Sequence, residues 1–94
     1  MQKIRTTVKI AGKDYTISSY DDEAHVQRVA EYVDRRLNEL NVATHLPAAQ
    51  LAVMVAMDVT DEMLKAQDEV RRMRAELAQA KDEIEAIRLA LEEK

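Results

Sequence analysis

The second half of the chain contains nothing that would interrupt a helix. After Pro47 the sequence has neither glycine nor proline, and it is rich in Ala, Leu, Met, Glu, Lys, Arg and Gln. Because glycine and proline are the residues least compatible with a helix interior, one helix is expected from about Leu46 to about Glu92. At 1.5 Å per residue it would extend on the order of 70 Å, which is more than a small domain can cover. The far half of this helix therefore needs another helix to pack against.

That far half carries a heptad repeat. With Val70 at position a, apolar residues recur at positions a and d over three heptads: Val70, Met73, Leu77, Ala80, Ile84, Ile87 and Leu91. Such a seam is typical of a coiled coil, in which the a and d side chains interlock between helices. We expect these seven residues to hold copies of the chain together. Met73 and Ala80 at position d specify the number of helices in a coiled coil only weakly, so the sequence is compatible with both a dimer and a larger assembly.

The charges beside the seam are sorted by sign. Position g holds glutamate and position e holds a basic residue in three successive heptads: Glu69, Glu76 and Glu83 at g, and Arg74, Lys81 and Arg88 at e. In a parallel pair each g residue faces the e residue five positions later on the partner, so these contacts attract. An antiparallel pair of identical helices would place like charges together. A parallel coiled coil is therefore predicted. A single solvated helix is the alternative, but it would leave an apolar seam open to aggregation.

The N-terminal segment predicts a β-hairpin. Ile4, Thr6, Val8 and Ile10 alternate with Lys3, Arg5, Thr7 and Lys9, which is the period of a strand with one inward and one outward row. A tight turn centred on Gly12 and Lys13 would set Ile10 opposite Tyr15 and Val8 opposite Ile17. An isolated hairpin is only marginally stable in water, so helices from the same chain or from a partner have to cover its apolar face.

A first helix is expected to follow the hairpin. Acidic residues at positions 21–23 favour a helix N-terminus, and an apolar stripe then recurs at three- and four-residue spacing through Val26, Val29, Ala30, Val33, Leu37 and Leu40. Residues 41–45 are interpreted as a connection, with Thr44 as the cap of the next helix and Pro47 in its first turn. Residues 51–57 are apolar all round, so we expect their burial in the head or at a dimer contact.

The predicted fold class is α+β and mainly helical. The N-terminal β-hairpin, the first helix and the start of the long helix would form a small head, residues 1–58. The rest of the long helix would form a parallel coiled-coil oligomerisation segment, residues 59–94.

Composition argues against several functional classes. The chain has no cysteine for a disulfide or a thiolate site, and neither His25 nor His45 has a second His or Cys at metal-binding spacing. No window approaches the roughly 18 apolar residues of a membrane helix, and the N-terminus lacks a signal-peptide pattern. At a net charge of −4, the chain lacks the continuous positive field of a nucleic-acid binder. We therefore expect a soluble, non-enzymatic protein with no cofactor, metal, nucleic acid or membrane partner.

Three segments in order carry a resemblance that spans essentially the whole chain: VKIAGKDYTI at 8–17, VAEYVD at 29–34 and LAVMVAMDV at 51–59. Together they resemble the ZapA family of bacterial cell-division proteins. The resemblance implies binding to the tubulin-like protein FtsZ, cross-linking of its protofilaments, and a cytoplasmic location at the midcell Z-ring. It also implies homodimers that pair into antiparallel tetramers, which this sequence neither favours nor excludes.

The resemblance also implies where the partner would bind. FtsZ is an acidic partner, and Lys13 occupies the family's position for a basic residue just after the turn glycine. Lys13 is therefore the first candidate, followed by Lys9 and Arg5 on the outward row of the strand and by Arg35 and Arg36 on the first helix. Two alternatives remain: these residues only solubilise the protein, or the chain is a coiled-coil adaptor for a different client.

Overall fold

The computed structural model describes residues 2–93 and contains four elements. They are the strands β1 (Ile4–Ile10) and β2 (Lys13–Ser19) and the helices α1 (Glu23–Thr44) and α2 (Ala48–Glu92). The predicted mainly helical α+β class, with a hairpin, one helix and then a long helix, is confirmed. By internal contacts the chain divides into one unit of residues 1–58 and a second of residues 59–94.

The hairpin has a register different from the predicted one. Its turn residues are Ala11 and Gly12, so that Val8 pairs with Tyr15 and Ile10 with Lys13. Ala11 has φ 53° and Gly12 has φ 78°, and positive φ at both central residues is the pattern of a type I′ turn. This turn follows the right-handed twist of the strands, which explains why the chain reverses one residue earlier than expected.

The shift leaves the two faces of the hairpin unchanged. The difference from the predicted pairing is two residues on β2, and a shift by an even number keeps every side chain on its side of the sheet. Thr6 and Val8 on the inward row are buried, whereas Arg5, Thr7 and Lys9 on the outward row are exposed. The predicted separation of an apolar row from a basic row is therefore correct for β1.

The core of the first unit is small and lies between α1 and β1. Val8, Val26 and Ala30 form a buried cluster, and Ile10 packs against it. Val33, Leu37 and Leu40 continue the predicted stripe and are half-buried, but Val29 is half exposed, so its predicted burial is wrong. Since α1 packs on β1, the inward-row side chains Tyr15 and Ile17 of β2 remain exposed.

Two hydrogen bonds attach the hairpin to α1. The side-chain amide of Gln27 donates from Nε2 to the backbone oxygen of Thr7 at 2.9 Å. The Asp34 Oδ1 atom accepts from the backbone N–H of Ala11 at 2.8 Å. Both bonds use a helix side chain to satisfy a backbone group of the hairpin, which secures strand and turn on the same helix.

The helix ends differ in part from the predicted ones. Asp22 caps α1 by accepting from the backbone N–H of His25 at 2.8 Å, in agreement with the acidic start. The helix then continues through the predicted connection to Thr44, whose hydroxyl donates to the Leu40 oxygen at 2.7 Å instead of capping the next helix. His45, with φ 54°, ends α1 in the left-handed conformation. Pro47 immediately precedes α2 and accepts from the Leu51 N–H at 3.0 Å.

The first turns of α2 are buried on one side only. Leu51 and Val55, one helical turn apart, are buried, whereas Val53 is 63 % and Met57 is 69 % exposed. Contacts within one chain therefore bury only part of residues 51–57, and the other expected cover for Val53 and Met57, a dimer contact, stays a prediction. Within the described residues, no single helix is both long and apolar enough to cross a membrane; α1 and α2 reach that length and composition only as a pair that is bent by 118° at the break between them.

Candidate oligomerisation seam and docking residues

All seven predicted seam residues lie on α2 and are exposed in the single chain. The exposed fraction is 44 % for Val70, 56 % for Leu77 and 65 % for Ile84. A fully buried aliphatic side chain of this size contributes about 1.5–3 kcal/mol relative to an exposed one. Among the described residues of the second unit, no other helix or strand covers this row. An exposed apolar row of this kind is expected of a helix that packs against another chain.

The charges beside the seam are partly engaged within their own helix. Arg72 lies at position c and contacts the g residues on both sides, Glu69 and Glu76, the second at 2.9 Å. Arg88 at position e contacts Glu85 at 2.8 Å. The structure shows no ion pair for Arg74 or Lys81 among the described residues, so these two basic side chains remain available to a partner helix. Exposed pairs of this kind contribute at most about 1 kcal/mol each, so they can exchange partners when two chains meet.

Two properties of residues 2–93 bear on metal binding and on acid–base chemistry, namely the grouping of possible ligands and the pKa values of the side chains. No three His, Asp or Glu side chains of that range lie close enough to hold a metal ion. The pKa of Lys65 is raised, because the Asp61 carboxylate accepts a hydrogen bond from its ammonium group at 2.8 Å and attracts its positive charge. This pair occupies adjacent turns of α2 outside the seam and is typical of an exposed helix surface.

The hairpin separates the predicted docking residues instead of collecting them. Arg5 and Lys9 lie on the outward row of β1, where Arg5 pairs with Ser18 and Lys9 with Asp14. Lys13 is the first residue of β2 and pairs with Ile10, which places it on the opposite face, at the end of the apolar row. A partner that contacts Lys13 therefore meets a different surface from one that contacts Arg5 and Lys9.

Arg35 and Arg36 have different environments on α1. The Arg35 guanidinium lies 5.2 Å from the centre of the Tyr32 ring, and its side chain is otherwise exposed. Arg36 is half-buried and lies 3.7 Å from Glu39 and 3.8 Å from Asp58 at the start of α2. Arg36 thus links the two helices of the first unit, whereas Arg35 can reach a partner without breaking an ion pair.

Two residues that the sequence pattern did not predict as functional, Asp34 and Gln27, secure the hairpin to α1. Their spacing from the buried Ala30 was the available signal. Asp34 lies four residues after Ala30 and Gln27 lies three residues before it, so both are on the side of the helix that faces β1. A polar side chain beside the packed face of α1 can reach the backbone groups of the hairpin that packs there.

Comparison with known proteins places these features in a family. Residues 6–91 match the family described as Cell division protein ZapA. Cell division protein ZapA of Geobacillus kaustophilus is 37 % identical over 81 residues, covering 85 % of this chain and 89 % of that protein. Cell division protein ZapA of Shouchella clausii is 39 % identical over 64 residues, covering 67 % and 82 % of the two chains.

A solved structure gives the same result. The ZapA mutant dimer from Geobacillus stearothermophilus aligns with a TM-score of 0.68 and 36 % identity, covering 82 % of this chain and 91 % of that one. Both the sequence and the fold are thus matched over most of their length, and the chain belongs to the ZapA family of cell division proteins, with a role in cell division.

Proposed function

We propose that this chain is a non-enzymatic adaptor that binds FtsZ and cross-links or bundles its protofilaments at the midcell Z-ring. Residues 1–58 would supply the contact with FtsZ, and residues 59–94 would join copies of the chain. The exposed a and d seam of α2 carries the proposal, because it requires a second helix and so produces an assembly with at least two heads.

Two heads are the minimum for cross-linking. In a symmetric dimer the same surface is present twice, so one assembly can hold two filament subunits. Once the first head is bound, the second attaches at the effective concentration set by the coiled coil, and no new contact is needed. Weak binding by each head is therefore compatible with strong bundling by the assembly.

The charge pattern supports a parallel arrangement of the two helices. Residues Arg74 and Lys81 at position e have no ion pair within the described chain and can meet Glu69 and Glu76 at position g of a partner. Both glutamates already contact Arg72 of their own helix. In the parallel pair, each would lie between Arg72 and the basic e residue of the partner helix. An antiparallel pair would lack this attraction, because it brings e residues against e residues.

Co-sedimentation with GTP-assembled FtsZ tests both halves of the proposal. The full-length chain should pellet with FtsZ polymers and should raise their light scattering through bundling. A chain ending at Gln67 keeps the hairpin, α1 and the buried start of α2 but loses three heptads of the seam. If circular dichroism shows that it is helical and unfolds cooperatively, it should bind FtsZ weakly with little or no bundling.

Two outcomes would contradict the proposal in different ways. A full-length chain that does not pellet with FtsZ would make it an adaptor for another client. A folded, shortened chain that bundles FtsZ as well as the full-length chain would show that valency through α2 is not the mechanism.

A further inference from the structure

A groove opens in the first unit beside the tip of the hairpin. Its volume is about 430 Å³, and it lies between the turn, the C-terminal half of α1 and the first turns of α2. The apolar side chains of Leu37 and Leu51 line it, and polar side chains at its margin include Lys13, Tyr15 and Asn41. Leu51 is buried and Leu37 half-buried, while the three marginal residues are exposed.

The charge of this groove differs from that of the whole chain. The chain carries 18 acidic and 14 basic side chains, yet the lining residues include no Asp or Glu, and Lys13 is their one charged member. The outward row of β1 offers a less favourable site, since Lys9 already lies directly opposite Asp14. A carboxylate entering the groove would meet the Lys13 ammonium group, for which the described residues provide no ion pair, beside an apolar surface where the local attraction is stronger than in open water.

The turn that forms one wall of the groove is held in place before any partner arrives. Asp34 accepts from the Ala11 N–H at 2.8 Å, and Ala11 itself lines the groove. Because this wall is already fixed, the protein itself loses little further entropy when a peptide binds against it. The exposed amide of Asn41 can donate to, or accept from, the backbone of an extended segment.

We propose that this groove is the docking site for FtsZ, and that it takes a segment in which an apolar side chain is adjacent to a carboxylate. The apolar side chain contacts Leu37 and Leu51, and the carboxylate pairs with Lys13. The inference rests on the proposed function and narrows it, because Arg5 and Lys9 lie on the opposite face of the hairpin and are excluded from this contact.

The test uses two matched pairs of full-length variants in co-sedimentation with GTP-assembled FtsZ. Lys13→Glu reverses the charge at the groove, and Lys9→Glu makes the same change on the outward row. Asn41→Glu adds a carboxylate at the groove margin, and Val42→Glu adds one at the next residue of α1, which is exposed and outside the groove. Since an unmatched like charge opposes binding strongly, we expect both groove variants to lose at least about tenfold in affinity while both controls stay within about twofold of the parent.

The mass of each variant, measured by light scattering, identifies the occupant of the groove. An unchanged mass with selective loss of FtsZ binding supports the proposal. A fall in mass for Lys13→Glu or Asn41→Glu would mean that a second copy of the chain occupies the groove, and would overturn it. Equal weakening by all four variants would show an effect of net charge only, and would also overturn it.

Failure of this inference differs from failure of the proposed function. If the parent chain and all four variants bind FtsZ equally, the groove is not the site, although the chain remains an FtsZ adaptor. If the parent chain does not bind FtsZ, both the function and the docking site are wrong.

Discussion

The carboxylate of Asp34 accepts a hydrogen bond of 2.8 Å from the backbone N–H of Ala11, and so connects the hairpin turn to a helix residue 23 positions later. Ala11 has a positive φ and is a central residue of the turn, outside the paired positions of β1 and β2. The bond therefore satisfies a donor that the hairpin itself cannot satisfy. It also makes the position of the turn depend on α1.

Asp34→Ala should destabilise the chain by about 1 kcal/mol, because the Ala11 N–H loses its acceptor. Asp34→Asn keeps an oxygen at the same place and should recover most of that loss. Denaturant unfolding followed by circular dichroism measures both values, at equal protein concentration because association contributes to stability. Equal loss in the two variants would mean that the negative charge, and not the hydrogen bond, is what matters.

Ala11→Asn should stabilise the hairpin by up to about 1 kcal/mol. Ala11 has φ 53°, a conformation that costs an ordinary residue energy but that asparagine tolerates, and Asn-Gly is the preferred pair for a type I′ turn. Gly12→Ala is the matched opposite change, since it places a side chain at φ 78° and should destabilise by about 1 kcal/mol although no atom lies near the added carbon. A melting temperature that falls for Ala11→Asn would refute this account of the turn.

Ile84→Asp should dissociate the assembly. The substitution places a carboxylate at an a position, where a partner helix would bury it without a matching charge. Light scattering should then give a mass near the 10.7 kDa of one chain at concentrations where the parent is associated. Leu89→Asp is the control, because it replaces an exposed leucine of the same helix at position f, outside the seam. An unchanged mass for Ile84→Asp would rule out the seam as the interface.

Replacing Glu69, Glu76 and Glu83 with lysine should weaken self-association, because every parallel g-to-e contact becomes repulsive. Part of the loss will come from within the helix, since Glu69 and Glu76 also contact Arg72. Mixing with a second variant that carries glutamate at the three e positions isolates the part between chains. That mixture should form heterodimers in sedimentation or native mass measurements, and failure to pair would argue against a parallel register.

The long helix and its seam could be predicted from the sequence because local composition decides them. Seven apolar residues at heptad spacing, with no glycine or proline after Pro47, leave few alternatives to a helix. The fold class followed from this heptad spacing together with the two-residue alternation of β1. Whether seam residues such as Ile84 meet one partner helix or three depends on packing between chains, which the a and d residue types of this chain specify weakly.

The hairpin register could not be obtained from the sequence with the same certainty. Gly12 can occupy either central position of a two-residue turn, and the structure has alanine, an unusual residue for positive φ, at the other. The predicted turn put Lys13 at its centre, whereas Lys13 is the first residue of β2 and lines the groove. The candidate groove could not be predicted from the sequence, because it combines residues from the hairpin, α1 and α2 that are distant along the chain.

The pairing of Arg72 with Glu69 and Glu76 has a consequence for how two chains find each other. Arg72 carries one positive charge for two of the three glutamates beside the seam, so it partly offsets the negative field that these glutamates project from a free helix. Long-range attraction then adds little to the encounter rate, which is set by diffusion and by the need for correct orientation. Charge acts late, once the helices are side by side, when it raises the barrier to escape from the aligned parallel state and hastens departure from a misaligned one.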